Sequence, residues 1–330
     1  MKVHSCRNFV KVFDYFCPMR VIQDLSLCSF NQPLVTMGTY DGVHLGHQEI
    51  IKNLVKQAHA TNKESVLFTF HPHPRMVLQP DNHAVKLIDT IDEKLAKLAL
   101  LGLDTVVLFP FTLEFSRLSA EEFVQQILVD ALGISAIHIG YDHHFGKNRE
   151  GSFPQLVAFG QKYNFDVVET PAFELNGTAI SSTKIRKALQ EGAIEKAQLF
   201  LGTPFVLTGT VIHGNKLGRT IGFPTANLAI DQSEKIIPAI GVYAVSVTID
   251  NKHYKGVMNV GKKPTVMQTE AISVEVFIFD FSADIYDKKL SVAVLKHLRG
   301  EQRFGSIDLL KEQLKKDEEM GRMLLADLPD

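Results

Sequence analysis

The chain has 330 residues, 45% of them hydrophobic and 22% charged, with a formal net charge of −2. That length suits one large or two ordinary domains, and so small a charge argues against general nucleic-acid binding. No apolar run approaches a membrane span. Arg7, Lys11 and Asp14 also break any secretory-type segment at the N-terminus, so a cytoplasmic protein acting on small molecules is expected.

Residues 1–18 read as an N-terminal extension ahead of Met19. Cys6, Cys17 and Cys28 lack zinc-like spacing and read as reduced thiols. From residue 33 to residue 200, strand patterns at 34–37, 66–70, 105–109, 136–139 and 165–169 alternate with helix patterns. The helices are expected at 45–60, 92–101, 119–132, 182–190 and 193–201, with Ser119 and Glu122 forming a capping box. Alternating βα units predict a doubly wound parallel sheet of Rossmann-like type, with ligands at the carboxyl ends of its strands.

The first such end carries Gly38-Thr39-Tyr40-Asp41-Gly42-Val43-His44-Leu45-Gly46-His47. An amphipathic helix follows, with Ile50, Ile51, Leu54, Val55 and Ala58 on one face. His44 and His47 then share a face of its first turn. Free N–H groups and the positive dipole end make such a turn an anion site. Two imidazoles aimed at one point can stabilise charge on a phosphoryl group in transfer. A bare His-x-x-His pair is weak; the strand-to-helix turn with its glycines and Asp41 makes it a candidate site.

Three further segments fall at strand ends or helix starts: 69–75, containing His73; 140–147, containing Asp142 and Phe145; and 180–186. In the last, Ser182 and Thr183 can cap a helix or hold phosphate oxygens, and Arg186 one turn later suits phosphate.

After Gly202-Thr203-Pro204 strand patterns dominate, at 205–211, 242–249, 254–260, 272–279 and 290–298, before a helix at 306–319. They predict a small antiparallel barrel closed by a helix. The domains are expected at 19–203 and 204–330. A loop between the first two of these strands holds Gly214, Gly218 and Gly222, then Pro224-Thr225-Ala226-Asn227. Thr225 and Asn227 can offer hard oxygens to Mg²⁺. Glu275 lies on the strand face opposite Val274 and Val276.

The N-terminal combination resembles the FMN adenylyltransferase module of prokaryotic bifunctional riboflavin kinase/FAD synthetases, and 209–228 resembles their riboflavin kinase signature. The resemblance covers nearly the whole chain. It implies that ATP and Mg²⁺ serve two steps, riboflavin to FMN and FMN to FAD. In the first domain, ATP would be bound by Gly38, Tyr40, Asp41, His44, His47, Ser182, Thr183 and Arg186, with His44 and His47 catalytic. The flavin there would meet His73, Asp142 and Phe145. In the second, Gly214, Gly218, Gly222, Thr225 and Asn227 would hold ATP, with Thr225 and Asn227 on Mg²⁺. Glu275 would be the general base, and Arg299 and Phe304 would contact the flavin. Tyr40 stands where the family usually has Phe, and His71 where an acidic residue is common. An adenylyl or similar transferase for another phosphate acceptor, and a flavin-binding protein with one dead site, stay open at this level, as does homo-oligomerisation.

Overall fold

The structure, a computed structural model, describes residues 19–79, 85–140, 143–171, 173–175, 177–214, 217–263 and 271–328. The expected extension 1–18 and Asp142 lie outside the described residues. Packing divides the chain into two units between Ser181 and Ser182.

The first unit is built on six parallel strands, β1 (Arg20–Ile22), β2 (Leu34–Met37), β3 (Ser65–Phe70), β4 (Thr105–Phe109), β5 (Ala136–Gly140) and β6 (Asp166–Thr170), ordered β1-β4-β3-β2-β5-β6. Its longer helices are α1 (Leu45–Ala60), α3 (Ile91–Leu100) and α5 (Phe153–Tyr163), joined by the short α2 (Pro74–Leu78) and α4 (Ala120–Phe123). Alternation along each strand feeds two cores. Leu34, Leu67, Val106 and Ala136 pack with Ile51, Leu54 and Ala58 of α1 and with Leu95 and Leu98 of α3. Val35, Val66, Val107 and Ile137 pack on the other face with Phe123, Leu128 and Leu156. Both faces are covered, which is why β2 is buried throughout.

The expected capping box at Ser119 and Glu122 starts α4. The helix then continues as a π-helix, Val124–Ala131, that keeps Val124, Ile127 and Leu128 buried. A small hairpin, β7 (Glu174–Leu175) and β8 (Thr178–Ala179), follows β6. The edge strand β1 was not expected: three residues are too short for a periodic pattern. Strand order reverses beside β2, whose neighbours are β3 and β5. A crevice opens at the carboxyl ends of strands at such a switch point, and β2 leads there into the His44–His47 turn.

The second unit starts with α6 (Ser182–Gln190) and α7 (Ile194–Leu201). The expected boundary at 203/204 follows this helix pair, but the pair packs with the barrel. Gln198 Nε2 donates to the carbonyls of Val294 and Leu295 at 2.7 and 2.9 Å. Six antiparallel strands close that barrel: β9 (Phe205–Ile212), β10 (Thr225–Ala229), β11 (Gly241–Ile249), β12 (Lys252–Lys263), β13 (Ala271–Ile278) and β14 (Lys289–Arg299), in the order β10-β13-β12-β11-β14-β9. A short helix, α8 (Leu217–Thr220), lies between β9 and β10, and α9 (Ile307–Leu324), capped by Ser306, closes the unit. β10 is the strand that sequence patterning did not separate from the glycine-rich loop. Its Thr-Ala-Asn-Leu-Ala stretch has weak strand propensity; ladders to β9 and β13 hold it extended.

Candidate active sites

In the first unit, the turn after β2 runs through unusual backbone. Tyr40 and Val43 adopt φ of 48° and 40°, a left-handed region that non-glycine residues seldom occupy. Gly42 turns at φ 86°, and a Cβ there would stand 3.0 Å from the Ile88 side chain. The turn is held by buried polar contacts. The Tyr40 and Thr36 hydroxyls share a 2.6 Å hydrogen bond, so the hydroxyl that distinguishes Tyr40 from Phe has a partner. Burial raises the pKa of that phenol. The Asp41 carboxylate turns inward and accepts from the backbone N–H groups of Ile88 and Asp89 at 2.9 and 3.2 Å. These contacts anchor the turn.

The hydroxyl pair gives a stability test. Tyr40→Phe and Thr36→Val each leave a buried hydroxyl unpartnered, at about 1–3 kcal/mol apiece. The double variant is expected to recover most of that loss. Denaturant titration of the four proteins measures the coupling.

His44 precedes α1 as its cap, its Nδ1 accepting from the N–H of His47 at 3.3 Å. An accepting Nδ1 assigns the proton of the neutral ring to Nε2. The His44 and His47 rings are stacked, with centroids 3.6 Å apart and planes 17° apart, and the Tyr40 ring lies 4.6 Å from His47. His47 Nδ1 is buried without a hydrogen-bond partner. Burial, then His44 and Lys94, hold His47 well below the ordinary imidazole value, so it is neutral at pH 7. His47 thus presents a neutral ring at a helix N-terminus. Lys94, which sequence analysis did not single out, supports the turn from behind. Its readable mark was a lysine on the apolar stripe of α3, one turn from Leu98.

The other expected residues of this unit are placed as follows. The space a Cβ on Gly38 would occupy is 3.1 Å from the Tyr40 ring and 4.0 Å from His143, which brings the loop after β5 beside the exit of β2. His73 caps α2, its Nδ1 accepting from the N–H of Arg75. Phe145 is buried in the core, 5.9 Å from the Phe123 ring and bridged to Gly151. A half-buried cluster of Phe70, Phe109, Phe111 and Phe115, with ring centroids 4.8–5.7 Å apart, sits at and just beyond the carboxyl ends of β3 and β4. Ser182, Thr183 and Arg186 lie on the first turns of α6, in the second unit.

In the barrel, strand geometry assembles the site. Thr225 and Asn227 are two apart on β10 and share a face. Asn227 lies opposite Glu275 of β13, and Asn259 of β12 is opposite Glu275 on its other side. The Thr225 hydroxyl donates to the Glu275 carboxylate at 3.3 Å. Val274 and Val276 are buried behind them. Asn259 had no local mark in the sequence; only the register of β12 against β13 brings it here. Gly214 abuts this row: a Cβ on it would stand 2.2 Å from Asn227 Nδ2. Gly218 is on α8, and Gly222 turns at φ 90° just before Phe223.

Two cavities meet at Thr225. One, about 350 Å³, is lined by Thr225, Asn227, Asn259, Glu275, Arg299 and Phe304 together with Leu310, Leu314 and Asp317 of α9. The other, about 250 Å³, is lined by Thr225, Pro224, Phe281, Asp284 and Tyr286. The Tyr286 ring centroid lies 3.9 Å from that of His213, the planes tilted by 38°, where the glycine-rich loop begins. Arg299 lines the larger cavity, but its guanidinium is engaged bidentately by buried Asp317, at 2.9 and 2.7 Å, and lies 6.0 Å from the Phe304 ring. It therefore fastens α9 to β14. Arg299→Met leaves the Asp317 carboxylate buried without its cation. A loss of about 3–5 kcal/mol is expected, together with a raised KM for the flavin substrate; unfolding and steady-state kinetics measure the two.

Known proteins share both halves. An FAD synthetase family profile matches residues 29–184, and a riboflavin kinase profile matches residues 201–325. A relative from Listeria monocytogenes named bifunctional riboflavin kinase/FMN adenylyltransferase is 37% identical over 297 residues, 90% of this chain and 94% of its own. The chain belongs to the bifunctional riboflavin kinase/FMN adenylyltransferase family. Members from Buchnera aphidicola of Schizaphis graminum and from Escherichia coli K12 are 40% and 37% identical over 92% and 91% of this chain, and over 96% and 95% of their own. A crystal structure described as a macrolide-efflux protein from Streptococcus pneumoniae is also similar, with a TM-score of 0.83 and 34% identity over 92% of this chain and 98% of that one. Among the described residues of this chain no helix is long and apolar enough to cross a membrane. The FAD synthetase match ends inside α6, so the family's first domain reaches past the division between the packed units.

Proposed function

We propose that this family member makes FAD in two steps. The barrel transfers the γ-phosphoryl group of ATP to the 5′-hydroxyl of riboflavin. The parallel-sheet domain then transfers AMP from a second ATP to the phosphate of the resulting FMN. The observation that carries the reading is the row Thr225, Asn227, Glu275 in the larger cavity, with Thr225 also lining the smaller one. A phosphoryl transfer needs two substrates to meet end to end, with a base at the meeting point. The larger cavity, with its apolar wall on α9, suits the flavin; the smaller one, lined by Pro224, Asp284 and Tyr286, suits the nucleotide. Glu275 would accept the hydroxyl proton as the phosphoryl group arrives, and ADP would leave.

Thr225 and Asn227 offer an hydroxyl and an amide oxygen beside that carboxylate. Among the described residues no group of three or more His, Cys, Asp or Glu could hold a metal ion. Such a donor set fits Mg²⁺, which binds through few protein oxygens and keeps waters and substrate phosphates as its other ligands. Bound there, it would neutralise phosphate charge.

In the adenylyl step, an oxygen of the FMN phosphate attacks the α-phosphorus of ATP, and the bond to pyrophosphate breaks. No covalent enzyme intermediate is needed. His44 and His47 at the start of α1 would donate hydrogen bonds to phosphate oxygens as charge builds. Ser182, Thr183 and Arg186 are proposed for the pyrophosphate side on their chemistry, two hydroxyls and a guanidinium at a helix start. His73 and the Phe70–Phe115 cluster suit the flavin end. Labelled ATP separates the two chemistries. With riboflavin, γ-labelled ATP should place its label in FMN and FAD. With FMN, α-labelled ATP should place its label in FAD alone. Label in neither flavin product would overturn the assignment.

A further inference from the structure

Lys94 is buried on the first turns of α3, only 8% exposed. Its Nζ donates to the carbonyl of Thr39 and to the hydroxyl of Thr69, both at 3.3 Å. The Thr69 hydroxyl in turn donates to the same Thr39 carbonyl at 3.4 Å. Thr39 lies in the turn between β2 and α1, immediately before Tyr40, and Thr69 is on β3. One ammonium group therefore ties a helix and a neighbouring strand to the loop that carries the histidine pair. An ammonium is rarely left inside a domain unless polar partners hold it, and here the partners are parts of the candidate site.

The charged and titratable groups around it come from three elements. Asp41 stands in the turn and Asp89 just ahead of α3, both favouring the cation; Asp89 is itself bound by Lys97 at 2.7 Å. His47 of α1 is disfavoured as a cation by Lys94. β3 contributes the Thr69 hydroxyl. Burial pulls Lys94 down to about 8, against the two aspartates, so it stays mainly charged at neutral pH.

We infer that Lys94 is a positioning residue for adenylyl transfer, clamping the turn between β2 and α1 so that Tyr40, His44 and His47 are presented to the ATP phosphates as one rigid group. The inference rests on the reading that the histidine pair handles ATP. Its charge has a second consequence. Removing it makes a proton on His47 less costly, so the acidic limb of FAD formation moves to higher pH.

The test uses the full chain as Lys94→Met, which keeps length and loses charge and donors, and as Lys94→Arg, which keeps both. FAD formation from FMN and ATP is followed from pH 5.5 to 9, with FMN formation from riboflavin as the internal control. For Lys94→Met, kcat for FAD formation should fall on the order of 10- to 100-fold. KM for ATP should rise, KM for FMN should hold, and the acidic limb should shift upward. Lys94→Arg should restore the wild-type limb. Two results would overturn the inference: an unchanged rate in Lys94→Met, or a lost rate with both KM values moved alike and the limb fixed. If Lys94→Met does not fold, as circular dichroism would reveal, Lys94→Arg decides alone; a displaced limb in that variant counts against the clamp. His47→Ala that forms FAD at the wild-type rate would overturn the underlying reading instead, a result separable from any of these.

Discussion

His47→Ala abolishes FAD formation from FMN and ATP and leaves FMN formation from riboflavin running. The ring it removes is stacked at 3.6 Å on His44 and lies 4.6 Å from Tyr40, at the N-terminus of α1. Loss of one preorganised donor to a developing charge costs on the order of 10²–10³ in kcat. Here the cost is expected at the upper end, because the same deletion leaves the His44 ring without the surface it stacks on. The backbone N–H of residue 47, which His44 caps, is retained, so α1 should still start at residue 45. Separate product assays on one preparation read both activities. A variant that loses both while remaining folded would break the assignment of the two reactions to two domains.

Glu275→Gln is expected to do the reverse. Glutamine keeps the shape and still accepts from the Thr225 hydroxyl, but it cannot take the proton of the riboflavin 5′-hydroxyl. General-base catalysis contributes on the order of 10²–10⁴ in rate, so FMN formation should fall by that factor. Conversion of supplied FMN to FAD should continue. Stability should change little, since Glu275 faces the cavity while Val274 and Val276 carry the packing. A variant that still phosphorylates riboflavin at the wild-type rate would return Glu275 to an ordinary strand carboxylate.

His47 is legible from a local pattern, the strand-to-helix turn with its glycines. Glu275 is marked only by the resemblance to the riboflavin kinase signature, since a carboxylate on a strand face is ordinarily just solvated. The parallel sheet was likewise readable from buried apolar strands such as 34–37 between amphipathic helices. What stayed hidden depends on contacts between distant segments. Asn259 reaches Glu275 only through the β12–β13 register. β10 is extended because two neighbours pair with it, not because its residues prefer to be. Asp41 is bound by the N–H of Ile88, 47 positions away, a partner that no local pattern shows. Arg299 is held by Asp317 of α9, a partner outside its own segment. Lys94 is the sharpest case: a buried charge is legible as an oddity on a helix stripe, yet its meaning needs Thr39 and Thr69.

The most direct measurement is a time course. The purified chain is incubated with riboflavin, ATP and Mg²⁺, and riboflavin, FMN and FAD are resolved chromatographically. FMN should appear first and then decline as FAD accumulates. FMN that never becomes FAD, even when FMN and ATP are supplied directly, would contradict the adenylyl site; no phosphorylated flavin at all would contradict the kinase site.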